Sequence, residues 1–180
     1  MIVAVVGRKK SGKTRVITEI IRYLSRRFNI LAIKHVAKHS FDVDTPGTDS
    51  WRIKESGADA VALISGSKTA LIMDMNTEVD PEEMIRLAEE LRRRAFDVVF
   101  LEGFSRVIAK RRNIYKIIVA RNREDVEYYL NVLDPPILAI VSESVLPNPP
   151  KYRTISFNKL GELAKMIASK LKDENPGSRK

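Results

Sequence analysis

Ile2-Val3-Ala4-Val5-Val6-Gly7-Arg8-Lys9-Lys10-Ser11-Gly12-Lys13-Thr14 decides the fold of this chain. Ile2–Val6 is a short, unbroken apolar run rich in β-branched residues, the pattern of a strand buried on both faces of a parallel sheet. Gly7–Thr14 satisfies G-x-x-x-x-G-K-[ST] in full. The glycines let the backbone curl until successive N–H groups converge on a phosphate. The helix that follows turns its positive end to the same place. Val16, Ile17, Ile20, Ile21 and Leu24 then recur at helical spacing, with Arg22, Arg26 and Arg27 off the apolar stripe. The motif assigns Lys13 to the β- and γ-phosphates and the Thr14 hydroxyl to Mg²⁺. Gly7, Lys10, Ser11, Gly12, Lys13, Thr14 and Arg15 are the candidate nucleotide contacts.

Working outward, Ile30–Ile33 is a second buried run, so the first 34 residues read as a right-handed βαβ unit. Val98–Leu101, Ile114–Val119 and Pro136–Val141 look like further parallel strands, and Ile155–Phe157 like a last short one. Ala60–Ile64 and Thr69–Met73 flank Ser65-Gly66-Ser67-Lys68 and predict an antiparallel hairpin. Helices are expected from Asp49 or Ser50 (as cap) to Ser56, from Pro81 with Asp80 as cap, over Arg123–Leu133, and after Asn158. The expected fold is an α/β P-loop three-layer sandwich, its sheet mainly parallel with one antiparallel hairpin. Residues 1–171 are expected to form one nucleotide-binding domain, and 172–180 a flexible tail.

Composition narrows the classes. The chain has 180 residues, 44% of them hydrophobic, enough for a packed core and too many for a disordered segment. It has no cysteine, which removes disulfides, thiolate metal sites and a Cys nucleophile. No apolar run approaches the roughly 20 residues of a membrane span, and a cytoplasmic location is expected. Glutamine is also absent and Lys, Arg and Glu dominate, as suits a protein built for high temperature. The net charge of +9 therefore has two readings, a Lys/Arg-rich surface around a phosphate site or nucleic-acid binding. No aromatic platform interleaves the basic residues, which argues against the second.

Magnesium beside a triphosphate needs only one or two protein carboxylates. Glu102 follows the run Val98–Leu101 and so sits at the carboxyl end of a strand, where ligands bind in open α/β sheets. Lys13 and Glu102 are the candidate catalytic pair. The segment from Lys34 to Ser50 should lie over the same edge. It holds both histidines and the candidate loop residues Lys34, His35, Asp42, Asp44, Asp49 and Ser50, with Asp44 a further candidate for Mg²⁺. It lacks thiolates, and its two histidines, His35 and His39, are not placed on a helix as the His-x-x-x-His pair of a zinc site would be.

Gly7–Thr14, Ile33-Lys34-His35, Phe41-Asp42-Val43-Asp44, Pro46-Gly47-x-Asp49-Ser50-Trp51, Gly57-Ala58 and Leu101-Glu102-Gly103-Phe104 together resemble the molybdopterin-guanine dinucleotide biosynthesis protein B family. Lys116–Arg121 extends the resemblance. It implies a homodimeric P-loop protein that binds GTP with Mg²⁺ and hydrolyses it weakly. It also implies help to the guanylyltransferase that joins GMP to molybdopterin, in a molybdenum or tungsten pathway, with molybdopterin itself as a further partner. The chain departs from the pattern at Ala37-Lys38, where more histidine is usual, and at Ser105, where lysine is common.

Guanine selection does not follow from the residues. Asn158-Lys159-Leu160-Gly161 has half of the Asn-Lys-x-Asp reader and lacks its carboxylate, while Ser142-Glu143 offers another acceptor at a strand end. A small-molecule kinase is the competing reading, with Arg106, Lys110, Arg111 and Arg112 as a basic lid over phosphates. Arg8, Lys9 and Lys10 are candidates for a positive charge donated across a dimer interface.

Overall fold

A computed structural model describes residues 1–36, 42–73, 80–144 and 151–174. The chain divides into two compact units, 1–36 with 81–180, and 37–80.

The larger unit is built on six parallel strands: β1 (Ile2–Val6), β2 (Ile30–Lys34), β5 (Val98–Glu102), β6 (Tyr115–Val119), β7 (Ile137–Val141) and β8 (Thr154–Ile155). Their order is β2-β5-β1-β6-β7-β8. The alternation of the pleat explains the unbroken apolar reading of β1. Val3 and Val5 join one core with Val16, Ile17, Ile20 and Leu24 of α1 (Lys13–Leu24) and with Leu163, Ile167 and Leu171 of α6 (Leu160–Glu174). Ile2, Ala4 and Val6 join the opposite core, with Ile85 and Ala88 of α3 (Pro81–Ala95), Ile108 of α4 (Ser105–Ile108) and Val126 and Tyr129 of α5 (Arg123–Val132). Helices on both faces make the three layers expected from the sequence.

Three boundaries differ from the sequence reading. The last strand is Thr154–Ile155, and Phe157–Lys159 is instead a 3-10 turn, so Asn158 lies inside that turn rather than capping α6. The cap of α2 (Asp49–Glu55) is Thr48, whose hydroxyl accepts from the Trp51 N–H at 3.3 Å, one residue before the expected start. α6 ends at Glu174; residues 175–180, part of the expected tail, lie outside the described residues.

The smaller unit contains α2 and the hairpin β3 (Ala60–Ile64) and β4 (Thr69–Met73), paired antiparallel from Ala60↔Met73 to Ile64↔Thr69. Its turn is closed by Ser65 N–H to Lys68 O at 2.8 Å, and the Ser65 hydroxyl accepts the Lys68 N–H at 2.9 Å.

Because every strand of the large sheet runs the same way, their carboxyl ends share one edge. β1 lies between β5, reached through β2, and β6, so the strand order reverses at the Gly7–Thr14 loop. That crevice is where open α/β sheets bind ligands.

Candidate functional site

The loop after β1 is built for an anion. Gly7 packs so closely that a Cβ there would lie 2.4 Å from the Val119 carbonyl oxygen and 2.6 Å from the Ser11 Oγ. Gly12 is left-handed at φ 95°, and a Cβ on it would sit 2.8 Å from the Phe157 ring. Lys10 also takes a left-handed φ of 63°, a conformation costing roughly 1–2 kcal/mol for an L-residue outside glycine. No side chain caps the start of α1, and its first turn carries no acid. Its amino-terminal N–H groups and positive dipole end are therefore available to a ligand. The Ser11 hydroxyl oxygen is buried within the loop without a hydrogen-bond partner. Such a group is costly unless something supplies its bond.

Lys13 folds back over this loop, its Nζ donating to the Arg8 carbonyl at 2.8 Å. Desolvation holds its ammonium below the ordinary lysine pKa and Lys34 pushes the same way, while Glu102 acts in the opposite direction. An anionic ligand would satisfy the charge that the loop alone satisfies incompletely.

Thr14 and Glu102 meet across the crevice. The Thr14 hydroxyl lies 3.0 and 3.1 Å from the two Glu102 carboxylate oxygens, and the Lys34 ammonium lies 3.8 Å from Oε1. The sheet register explains the meeting, since Glu102 pairs with Val5 on one side and Lys34 on the other. Hydroxyl and carboxylate are hard oxygen donors side by side, which fits Mg²⁺ completing its shell from phosphate and water. Among the described residues no group of three metal-ligating side chains occurs, so a dedicated protein cage for a cation is not formed by them.

The Lys-His and Glu-Gly-Phe motifs, far apart in sequence, form one local unit. The His35 N–H donates to the Glu102 carbonyl at 2.9 Å. Gly103 takes a left-handed φ of 95°, and a Cβ on it would lie 3.1 Å from the His35 carbonyl oxygen, so glycine suits both the backbone turn and the close approach. Phe104 is buried, its ring 5.5 Å from the His35 imidazole. This packing holds Glu102 at the strand end.

The structure thus gathers Gly7, Lys10, Ser11, Gly12, Lys13, Thr14, Arg15, Lys34, His35 and Glu102 in the larger unit. Asp42, Asp44, Asp49 and Ser50 belong to the smaller unit. There Asp44 Oδ1 accepts from the Thr45 N–H at 2.8 Å and the Thr48 hydroxyl at 3.1 Å, and Asp49 lies 3.8 Å from Arg52. The nearby Ser50 hydroxyl, with these bonds, lowers the Asp44 pKa. His39 and Phe41 lie outside the described residues.

Of the three loop cations proposed to reach a partner copy, Lys9 and Lys10 are exposed, while the half-exposed Arg8 pairs its Nε with Asp125 Oδ1 at 2.6 Å and has its guanidinium carbon 5.9 Å from the centre of the Tyr128 ring. Two of the four cations of the expected lid are engaged: Arg111 bonds to Glu82 and lies 3.7 Å from Glu89, and Lys110 is 3.2 Å from Asp134.

Asp125 is the residue that the sequence reading missed. It is 1% exposed and accepts from both the backbone N–H and the Nε of Arg121, at 3.1 and 3.2 Å. Burial alone would raise its pKa, but the Arg121 hydrogen bonds and the two guanidiniums outweigh burial and lower it. Asn122 caps α5 by accepting the Asp125 N–H at 2.9 Å. The Asn-Arg-Glu-Asp of residues 122–125 was the available signal. Its spacing resembles a guanine reader, yet both ends are consumed in holding α5 and Arg8.

With this geometry in hand, the comparisons decide the family. The profile described as "Molybdopterin guanine dinucleotide synthesis protein B" matches residues 2–143. The chain belongs to that family. A "Putative molybdopterin-guanine dinucleotide biosynthesis adapter protein" of Methanocaldococcus jannaschii is 30% identical over 157 residues, covering 81% of this chain. The chain spans only 63% of that relative's length. A "Molybdopterin-guanine dinucleotide biosynthesis adapter protein" of Haemophilus influenzae is 28% identical over 92% of this chain and 86% of its own. The fold is that of Bacillus subtilis MobB, with a TM-score of 0.70 at 23% identity over 93% of this chain and 96% of the other. A MobB homologue from Bacillus stearothermophilus gives 0.68 at 19% identity over 96% and 98%. No helix among the described residues of this family member is long and apolar enough to cross a membrane.

Proposed function

We propose that this family member binds GTP with Mg²⁺ at the Gly7–Thr14 loop and assists guanylyl transfer to molybdopterin in the cytoplasm. The observation that carries the reading is the buried, unpartnered Ser11 hydroxyl inside a loop whose helix begins uncapped, beneath a desolvated Lys13. The adapter role is supported by the names of the relatives. GTP rather than ATP is supported by the family description, which names a guanine dinucleotide product.

In this reading Lys13 places positive charge against the β- and γ-phosphates, and the loop amides bind the same oxygens. Thr14 and Glu102 would hold Mg²⁺, which supplies further charge neutralisation when bound. Glu102 orients water for a weak hydrolysis, and Lys34 keeps the carboxylate turned toward the loop. The ion pairs of Arg111 and Lys110 occupy two of the four cations on which the competing kinase reading relies.

The proposed working form is a homodimer. On one face of the hairpin, Met73, Leu71 and Ile64 form a row by register, with Leu71 62% and Ile64 79% exposed. An isolated two-stranded hairpin is marginal in water, and a second copy covering this row would bury it.

Titration calorimetry of the purified chain with GTP and Mg²⁺ tests the nucleotide reading. Lys13→Ala is expected to abolish binding without altering the circular dichroism spectrum, and wild-type affinity in that variant would overturn it. Addition of the chain to a guanylyltransferase assay tests the adapter role, with unchanged product yield as the contrary result.

A further inference from the structure

We infer that Glu143 selects the base, accepting the N1–H and 2-amino group of guanine and excluding adenine. The inference rests on the triphosphate reading of the Gly7–Thr14 loop. Thr14 meets Glu102 on the β5 side of β1, so the metal-bound β/γ end of a triphosphate belongs there. Its other end, with sugar and base, then projects toward the carboxyl ends of β6, β7 and β8.

On that side the surface is built. The Phe157 ring packs against Gly12, and the Arg15 guanidinium carbon lies over the same ring at 4.9 Å from its centre. Arg15 Nη1 also lies 3.4 Å from Glu143 Oε1. An aromatic face, a planar cation and a carboxylate therefore sit together beside the phosphate loop, the side-chain types that hold a flat heterocycle by stacking and edge bonds.

Glu143 is at the tip of a pinned turn. Ser142 N–H donates to the Ile155 carbonyl at 3.1 Å, tying the turn to β8. Ser144 N–H reaches the Ser142 Oγ at 3.3 Å, and the Ser144 hydroxyl donates to the Arg121 carbonyl at 3.3 Å, tying it to the loop after β6. Glu143 itself remains 74% exposed on the side chain. Among the described residues, two other candidate acceptors on this side are already engaged: the Asp125 carboxylate by Arg8 and Arg121, and the Asn158 Oδ1 by the Ser156 hydroxyl. The Arg15 contact is exposed on both partners and so exchangeable.

A carboxylate offers two acceptors. The guanine edge presents two adjacent donors, a bidentate match, whereas adenine presents N1 as an acceptor and leaves lone pairs opposed. A good bidentate pair discriminates by roughly tenfold or more.

Equilibrium binding of GTP, ATP and xanthosine triphosphate, with Mg²⁺, to the full chain tests this. Wild type is expected to prefer GTP over ATP by about tenfold or more. Glu143→Ala should erase that preference by lowering GTP affinity about tenfold without lowering that of ATP, whose N1 lone pair then faces no carboxylate. Glu143→Gln should favour xanthosine triphosphate, since its amide N–H can meet the 2-oxo group. A Glu143→Ala variant with the wild-type GTP:ATP ratio, an equal loss of both nucleotides, or a wild type indifferent to the base each overturns the inference and leaves the triphosphate site standing. A wild type that binds none of the three overturns the triphosphate reading itself.

Discussion

The Thr14 hydroxyl and the Glu102 carboxylate, 88 residues apart in sequence, lie within 3.0 to 3.1 Å of each other. The contact crosses from the first turn of α1 to the end of β5, so it can form only when β1 and β5 are adjacent and in register. It joins the element that binds phosphate to the element that supplies a carboxylate. Removing the negative charge while keeping the shape isolates that function. Glu102→Gln is expected to bind nucleotide within a few-fold of wild type, but to need about 10–100-fold more Mg²⁺ for half-saturation. Magnesium titration at fixed GTP measures this, and an unchanged midpoint removes Glu102 from the metal site.

The lowered pKa of Lys13 predicts a pH dependence with a definite sign. Its folded value lies below the ordinary 10.5, from desolvation first and Lys34 second. Between the folded value and 10.5 the unfolded chain binds more protons, so the group's contribution to stability rises with pH through that window. Triphosphate binding works the other way, because the anion favours the protonated amine. GTP affinity should therefore fall as pH rises through the lowered pKa, with proton uptake on binding. Calorimetry at alkaline pH in two buffers of different ionisation enthalpy measures that uptake. Identical heats after correction for dilution would show that Lys13 stays fully charged.

Gly12 is needed for two separate reasons, its left-handed φ and its contact with Phe157. Gly12→Ala should lower stability by about 1–3 kcal/mol, from left-handed strain and displacement of the ring. Urea denaturation reads the loss. The double variant Gly12→Ala/Phe157→Ala removes the ring that the methyl would strike, so less than the sum of the two single losses is expected. Full additivity would mean that the contact plays no part.

Much of this arrangement was legible in the sequence because the determining signals are local. β1 and the phosphate loop follow from one unbroken run of 13 residues quoted from the chain, and the α1 stripe follows from its period. Glu102 was legible because a carboxylate after a buried strand has only one edge to occupy. The Asp125–Arg8 pair was not, because it depends on β6 lying beside β1, a long-range fact. Phe157 fits a strand by its apolar character two residues after Ile155, but the structure places it in a 3-10 segment with its ring against Gly12, a long-range contact that local pattern does not carry. Thr48 displaced Asp49 as cap because several neighbouring residues have capping side chains and propensity alone does not rank them.

Asp125 supports the loop from behind, and its removal should affect folding and binding together. Asp125→Asn keeps the volume but leaves two guanidiniums without their shared counter-charge. Both arginines are about half exposed, so water offsets part of the loss and the expected cost is about 1–3 kcal/mol. The lowered carboxyl pKa gives the sign of the pH effect: the contribution is present above the unfolded value near 3.8 and is lost as pH falls through the folded value. Urea midpoints from neutral to acidic pH should converge for variant and wild type at the acid end. Parallel curves would assign the stabilisation to another group.

The hairpin supplies the last test. Met73, Leu71 and Ile64 share one face, while Val61, on the other face, is buried. The row is exposed on the face opposite Val61, and charging it should leave the hairpin's register intact. Leu71→Lys and Ile64→Lys are expected to shift a dimer toward monomer in sedimentation equilibrium, since a buried lysine without a partner is strongly disfavoured. Nucleotide binding to the isolated monomer should persist, because the phosphate loop, Thr14 and Glu102 all come from the larger unit. If wild type sediments as a monomer throughout, the row has another occupant and the homodimer reading fails.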